Sequence, residues 1–290
     1  MSAKITVRQA FPILGEAIAT LFRNPQLLYP FCILGFVQLL LMEVLFFANR
    51  FPLSVICAPI ITRLKGPQYL HYPFNYELVN HWFQSSQMFI YFFLTSFIVG
   101  KVVLMVAKIN NGESLDAKIP RLGLRRYVNL VAIFVLIFIL VYALTSGYGL
   151  LVRRATAIRS TAGLYFIIKQ AVLLGAPYFA LLFSILVTVL FAYVIPLIVL
   201  DRKNVIVAFF QNFWILGKTF MPLLIIIFVS SLLYAPILLL RSNQQWMSGF
   251  LTPEIWQVVV VLGVIVLLLI DAVQYTAVTM CFLLNKDDDQ

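Results

Sequence analysis

Six long apolar stretches, separated by shorter segments rich in basic and aromatic residues, dominate the pattern of this chain. They run near Leu27 to Ala48, Met88 to Ala107, Tyr127 to Val152, Ala171 to Leu200, Phe220 to Leu240 and Ile255 to Leu284. A bilayer core about 30 Å thick takes roughly 20 residues of helix at 1.5 Å per residue. Each stretch is long enough to cross. In hydrocarbon an open strand would leave backbone donors and acceptors unpaired, so the pattern predicts six helices. The fourth carries no charge, and the fourth and sixth exceed the length of a perpendicular crossing, which predicts tilt or a kink. Pro177 and Pro196 near the ends of the fourth, and Pro236 late in the fifth, are where kinks are expected.

The links are patterned too. Three of them read as amphipathic helices leading into a span: residues 1–26, 108–126 and 201–219. The first sets Val7, Phe11, Leu14, Ile18 and Leu21 on one face, away from Lys4, Arg8, Glu16 and Arg23. In the second, Leu115, Ile119 and Leu122 oppose Lys118, Arg121 and Arg125, behind a helix start at Glu113, Ser114 and Asp116. The third opposes Ile206, Phe210, Phe213 and Trp214 to Lys203, Asn204, Gln211 and Lys218. Phe11-Pro12-Ile13-Leu14-Gly15 is locally similar to Phe213-Trp214-Ile215-Leu216-Gly217, which suggests a threefold repeat of interfacial helix plus span pair. The competing reading is that any basic link at the headgroup boundary looks amphipathic.

Composition sets the class. Of 290 residues 62% are apolar and 11% charged, against roughly 25% charged in an average globular domain, too few polar groups to cover a body in water. The fold class is therefore all-α, a polytopic membrane helical bundle forming one integral domain over residues 1–290. More than twenty residues precede the first span, so it is expected to be retained rather than cleaved. The net charge of +10 lies at the span ends, a distribution that suits anionic lipid headgroups and not nucleic acid. With the N-terminus inside, twelve Lys and Arg fall on the inner side and eight on the outer, which favours both termini in the cytoplasm of a bacterial inner membrane. Arg153 to Lys169 dissents, as a basic stretch on the outer face that could lie on the outer leaflet. Residues 285–290 read as a polar tail.

Pro196-Leu197-Ile198-Val199-Leu200-Asp201, running into Ala208, Phe213, Leu216 and Gly217, resembles a group of bacterial six-span membrane proteins. These are related to the membrane domain attached to some glycerophosphodiester phosphodiesterases. Ala10-Phe11, Leu21-Phe22, Asn24-Pro25 and Pro30 resemble the opening of that domain. The resemblance covers nearly the whole chain and implies an architecture rather than an activity. Asp201 stands where the family pattern has Glu, and no catalytic phosphodiesterase domain accompanies it.

Three ionisable residues lie inside spans: Asp271 midway along the sixth, Lys101 in the second and Glu43 late in the first. A charge at a helix centre costs about 2.5–3.5 kcal/mol on insertion scales, which makes each a candidate site residue. Asp271, Gln274 and Tyr275 share one helical face, and Lys101 is better placed than Glu43 to meet Asp271. They read either as an ion, proton or lipid-headgroup site or as polar ties between helices.

The outer segment 49–87 concentrates Tyr69, Tyr72, Phe74, Tyr76 and Trp82 with His71, His81 and Phe83. It reads as a loop folded onto the leaflet or as a docking surface for another envelope protein. Two histidines ten residues apart make a poor metal site, and Cys32, Cys57 and Cys281 give no disulfide framework. No phosphate-binding loop, dinucleotide fingerprint, HExxH or GxSxG is present, so no cofactor is expected.

The expectation is a non-enzymatic inner-membrane protein, a subunit or scaffold of a membrane assembly with lipids and other membrane proteins as partners. The alternative is a transporter or channel for a small or lipid-like substrate using Asp271, Lys101 and Gln274. A membrane enzyme acting on lipid comes third.

Overall fold

The structure is a computed structural model that describes residues 6–72, 74–113, 115, 122–158, 163–242 and 252–287. The described residues form helices and turns, without strands. We number the α-helices α1 (Val7–Arg23), α2 (Tyr29–Phe46), α3 (Ser54–Leu64), α4 (Phe74–Phe89), α5 (Ser96–Asn110) and α6 (Leu124–Ala157). There follow α7 (Leu164–Leu190), α8 (Val194–Val199), α9 (Val205–Ser231), α10 (Ala235–Ser242) and α11 (Pro253–Asp287). Six runs are long and apolar enough to cross a membrane: Pro25–Asn49, Phe74–Asn110, Leu124–Ala157, Tyr178–Val199, Val205–Leu240 and Gln257–Lys286. Phe22, Trp214 and Leu124 are among many large apolar side chains that stay exposed, as a lipid-facing surface requires. The chain is a polytopic membrane protein built as a helical bundle.

Its two ends are held differently. On the α1 side, Lys286 near the end of α11 pairs with Asp201 at 2.7 Å, Arg125 donates to Asn204 at 3.3 Å, and Arg126 donates to the Val199 carbonyl at 3.2 Å. These contacts gather the start of α6, the turn before α9 and the end of α11 on one side, as an even number of crossings demands. On the opposite side lie α3, the end of α6 and the start of α7. Lys169 there donates to the Ile158 carbonyl at 3.1 Å. Arg153 to Lys169 is thus divided between the ends of two long helices and is not a separate helix on the leaflet, although Arg159 lies outside the described residues.

Helix α1 forms as expected, with Gln9 Oε1 accepting from the Thr6 amide at 2.8 Å in a capping arrangement. Its apolar face is divided between lipid and protein. Ala10, Ile13 and Ala17 pack on α9 and α11 and Leu21 on the cluster of α2, α5 and α11, whereas Val7, Phe11 and Ile18 are exposed. Small residues let helix backbones approach closely, and the bulky ones are left to lipid. The same economy places Gly35 and Gly100 where an added Cβ would stand 2.7 Å from Leu268 and 2.6 Å from Leu130.

The third link helix differs from expectation. Residues 205–219 are the first part of α9, which continues unbroken to Ser231, because Gly217 and Pro222 sit within an apolar run that packing keeps helical. In 108–126, Ser114, Asp116, Lys118, Ile119 and Arg121 lie outside the described residues. So do Lys4 and residues 288–290 of the tail.

Segment 49–87 is mostly helix and not an open loop. It holds α3, a 3₁₀ turn at Pro67–Leu70 and most of α4, which extends the second crossing outward by fourteen residues from Met88 to Phe74. The polar residues Asn75, His81, Gln84 and Gln87 hide that extension from an apolar-run reading, although α4 is continuous helix.

Candidate functional site

Three of the crossings are irregular. In the second, α4 gives way to a π-helical stretch at Ile90–Thr95. The Ser96 hydroxyl donates to the Phe92 carbonyl at 2.6 Å, and the Tyr127 hydroxyl donates to the Phe93 carbonyl at 3.2 Å, so groups released from the regular ladder are taken up by side chains. In the fourth, the helix breaks over Phe191–Tyr193 before α8. Pro196 has no N–H to offer the carbonyl four residues back and its ring would clash there, which prevents α7 from running on. Asn212 of α9 seals the break. Its Oδ1 accepts from the Tyr193 amide at 3.0 Å and its Nδ2 donates to the Leu190 carbonyl at 2.6 Å, with the Asn212 side chain buried. In the fifth, α9 ends in a 3₁₀ turn at Leu232–Tyr234, one turn ahead of Pro236.

Two of these irregularities, the π-helical stretch and the end of α9, open onto one cavity, while the break before α8 is buried in the core. The cavity has a volume of about 330 Å³ and lies between α7, α11 and the α9–α10 junction. Tyr91 comes from the π stretch, Thr188 from just before the α7 break, and Ser231 and Tyr234 from the end of α9. Ser184 stands one turn behind Thr188, while Asp271, Gln274 and Tyr275 are contributed by α11. Asp271 lies near the middle of α11, roughly 25 Å from either end, and so close to the bilayer midplane. A second cavity of about 320 Å³ shares Tyr91, Ser184 and Thr188 and adds Gln84 and Gln87 of α4. Gln84 and Gln87 lie toward the α3 side, so the lining of the two cavities extends from Asp271 toward that side. Beyond Asp271, toward the α1 side, Val103, Leu130, Ile133, Leu197, Ala277 and Cys281 are almost fully buried and close the bundle. Phe134, with its ring 4.9 Å from that of Tyr91, belongs to the same packed layer.

Of the five intramembrane candidates, three meet. Asp271, Gln274 and Tyr275 line the cavity as their shared helical face predicts. Gln274 Nε2 reaches the Ile227 carbonyl at 3.2 Å and the hydroxyl oxygens of Ser230 and Ser231 at 2.9 and 3.0 Å, which ties α11 to α9. Lys101 does not join them. Its ammonium sits 4.7 Å from the centre of the Phe97 ring, on α5 nearer the α1 side. Glu43 is exposed near the α3-side end of α2. Among the described residues Asp271 makes no ion pair and no hydrogen bond. Lys101, which the sequence places better than Glu43 to meet Asp271, makes no contact with it.

The aromatic candidates of the α3 side are partly stapled together. Tyr69 contacts Phe74 with ring centres 5.8 Å apart, Tyr72 contacts Tyr76 at 5.9 Å, and Tyr76 contacts Phe46 at 5.7 Å beneath the Arg50 guanidinium. Tyr76 is buried, Trp82 half-buried, and Tyr72 and Phe74 exposed. No group of three or more His, Cys, Asp or Glu able to hold a metal ion occurs among the described residues.

Sequence reasoning missed Tyr91, Ser184, Thr188, Gln84 and Gln87. A usable signal existed. Gln84, Gln87 and Tyr91 recur at helical spacing, and Ser184 and Thr188 stand four apart in an otherwise apolar run. No family model, no curated protein and no solved structure matches the chain.

Proposed function

We propose that this polytopic membrane protein is a non-enzymatic carrier or channel for a small or lipid-like substrate, with the cavity around Asp271 as its binding site. The observation that carries the reading is a cavity near the middle of α11, lined by Asp271, Gln274 and Tyr275 together with residues from two interrupted crossings, the π-helical stretch at Tyr91 and the end of α9 at Ser231 and Tyr234. Interrupted helices release backbone groups and permit two packings, and they are tolerated in a bilayer where they line a cavity. The lining offers positioned hydroxyl, amide and carboxyl groups and no nucleophile-base pair, which favours binding over covalent chemistry. Access from the α3 side with a packed layer beyond Asp271 suits one state of an alternating carrier. The twelve-to-eight excess of Lys and Arg supports placing the α1 side in the cytoplasm of a bacterial inner membrane. The sequence resemblance to six-span membrane proteins supports a shared architecture and adds nothing on substrate.

Reconstituted vesicles loaded in turn with small organic cations, anions and neutral solutes test this reading. Flux of at least one class should exceed that of protein-free vesicles, and Asp271→Asn should lower it by at least about tenfold, the equivalent of 1.4 kcal/mol. Glu43→Gln, on the exposed face of α2, should leave it unchanged. Should no class of solute move, the carrier reading fails. The exposed apolar face of α3, with Val55, Ile56, Ile60 and Leu64, would then favour a subunit or scaffold role.

A further inference from the structure

We infer that the cavity at Asp271 binds a small organic cation, an ammonium-bearing group held by the Asp271 carboxylate among the rings of Tyr91, Tyr234 and Tyr275. This deepens the carrier reading and rests on it. The charge balance of the site comes first. The described lining contains one carboxylate and no lysine or arginine, and Lys101 is engaged on Phe97 and lines neither cavity. A carboxylate at the midplane is costly unless a counter-charge reaches it. Among the described residues the protein supplies none, so a bound cation completes the pair. An anionic substrate would meet the opposite balance, with a repelling carboxylate and no cationic clamp.

The aromatic lining points the same way. Three tyrosines share the cavity with Asp271, and aromatic faces attract ammonium groups through the ring quadrupole. Such a cage tolerates methylated nitrogen, because the attraction needs no N–H. Ser184, Thr188 and Ser231 add hydroxyl oxygens that can accept from a protonated amine. Size sets a limit: about 330 Å³ accommodates an ammonium headgroup but not a whole lipid. The group could come from a soluble amine entering past Gln84 and Gln87, or from an amine lipid headgroup whose tails remain in the bilayer.

The purified full chain in maltoside detergent, titrated with radiolabelled tetramethylammonium, tests the assignment. Saturable binding is expected, with Asp271→Asn and Tyr91→Leu each weakening it by roughly tenfold or more, while Tyr91→Phe binds within about threefold of wild type. If Asp271→Asn unfolds, Tyr91→Leu against Tyr91→Phe decides, provided both variants unfold at the wild-type temperature, since phenylalanine keeps the ring and leucine removes it. Succinate and glycerol should not displace the label. Displacement by ethanolamine but not by a lyso-phosphatidylethanolamine identifies a soluble amine, and displacement by that lipid but not by lyso-phosphatidylglycerol identifies a headgroup. Either result supports the assignment. No binding to the folded wild type, equal binding to both Tyr91 variants, or displacement by succinate overturns it. Vesicle flux separates the two levels: transport of anions or neutral solutes without cations ends the cation assignment and leaves the carrier reading standing, whereas no flux of any class removes the carrier reading.

Discussion

Replacing Asn212 with leucine is expected to destabilise the protein by about 3 kcal/mol, because two buried backbone groups lose their partner and each such group costs about 1–3 kcal/mol. The Tyr193 amide and the Leu190 carbonyl meet the Asn212 side chain where α7 stops and α8 begins. They cannot pair with each other's helix, since Pro196 prevents the ladder from closing across the break. Water cannot take over at a position this enclosed. Every residue of α8 is buried, so the break and the short helix after it must be held together. Asn212→Asp should rescue only part of the loss: the carboxylate can accept from the Tyr193 amide, but it offers the Leu190 carbonyl no donor. Detergent unfolding titrations of the three proteins measure the difference. A loss below about 0.5 kcal/mol for the leucine variant, the scale of an unremarkable surface change, would mean that Asn212 does not hold the break.

Blocking the cavity should abolish flux without unfolding the chain. Ser184 lines both cavities and its side chain is exposed to them, so Ser184→Trp places an indole across the route from Gln84 and Gln87 to Asp271. The substitution adds bulk to open space and not to a packed core, and for that reason the unfolding temperature should stay near that of wild type. Leu186→Trp provides the comparison. Leu186 is on the same helix but exposed on another face, 39% accessible and outside both cavities, so tryptophan there should leave flux intact. If the two variants retain flux alike, the route does not pass Ser184.

The contrast between these residues explains how much the sequence could say. Six crossings were legible because each needs a long apolar run, and a bilayer imposes that length whatever the tertiary packing. Asp271, Gln274 and Tyr275 were legible as a group because their shared face follows from helical spacing alone. Tyr91, Ser184 and Thr188 were not, since a lone tyrosine or hydroxyl in an apolar helix is common and only packing brings three helices around Asp271. Asn212 was hidden for the same reason: its role depends on a break in a different helix. Pro196 announced a kink but not its form. Whether Lys101 reaches Asp271 was not legible, since a π-helical stretch that alters register along the second crossing is not visible in an apolar pattern. That Ala10, Ile13 and Ala17 are the residues α1 turns toward protein was not legible, because in lipid the larger apolar residues are not necessarily the ones that pack on neighbouring helices.

Sided thiol labelling tests most directly that Asp271 is reached from one face of the membrane. Ser184→Cys, in a chain with Cys32 and Cys57 changed to serine, should react with a cationic water-soluble thiol reagent. It should do so only from the side that also labels native Cys57 of α3, and opposite to the side that labels Glu16→Cys of α1. Cys281 is buried and should stay silent. Labelling of Ser184→Cys from the α1 side, or failure to label from either side, would contradict the account.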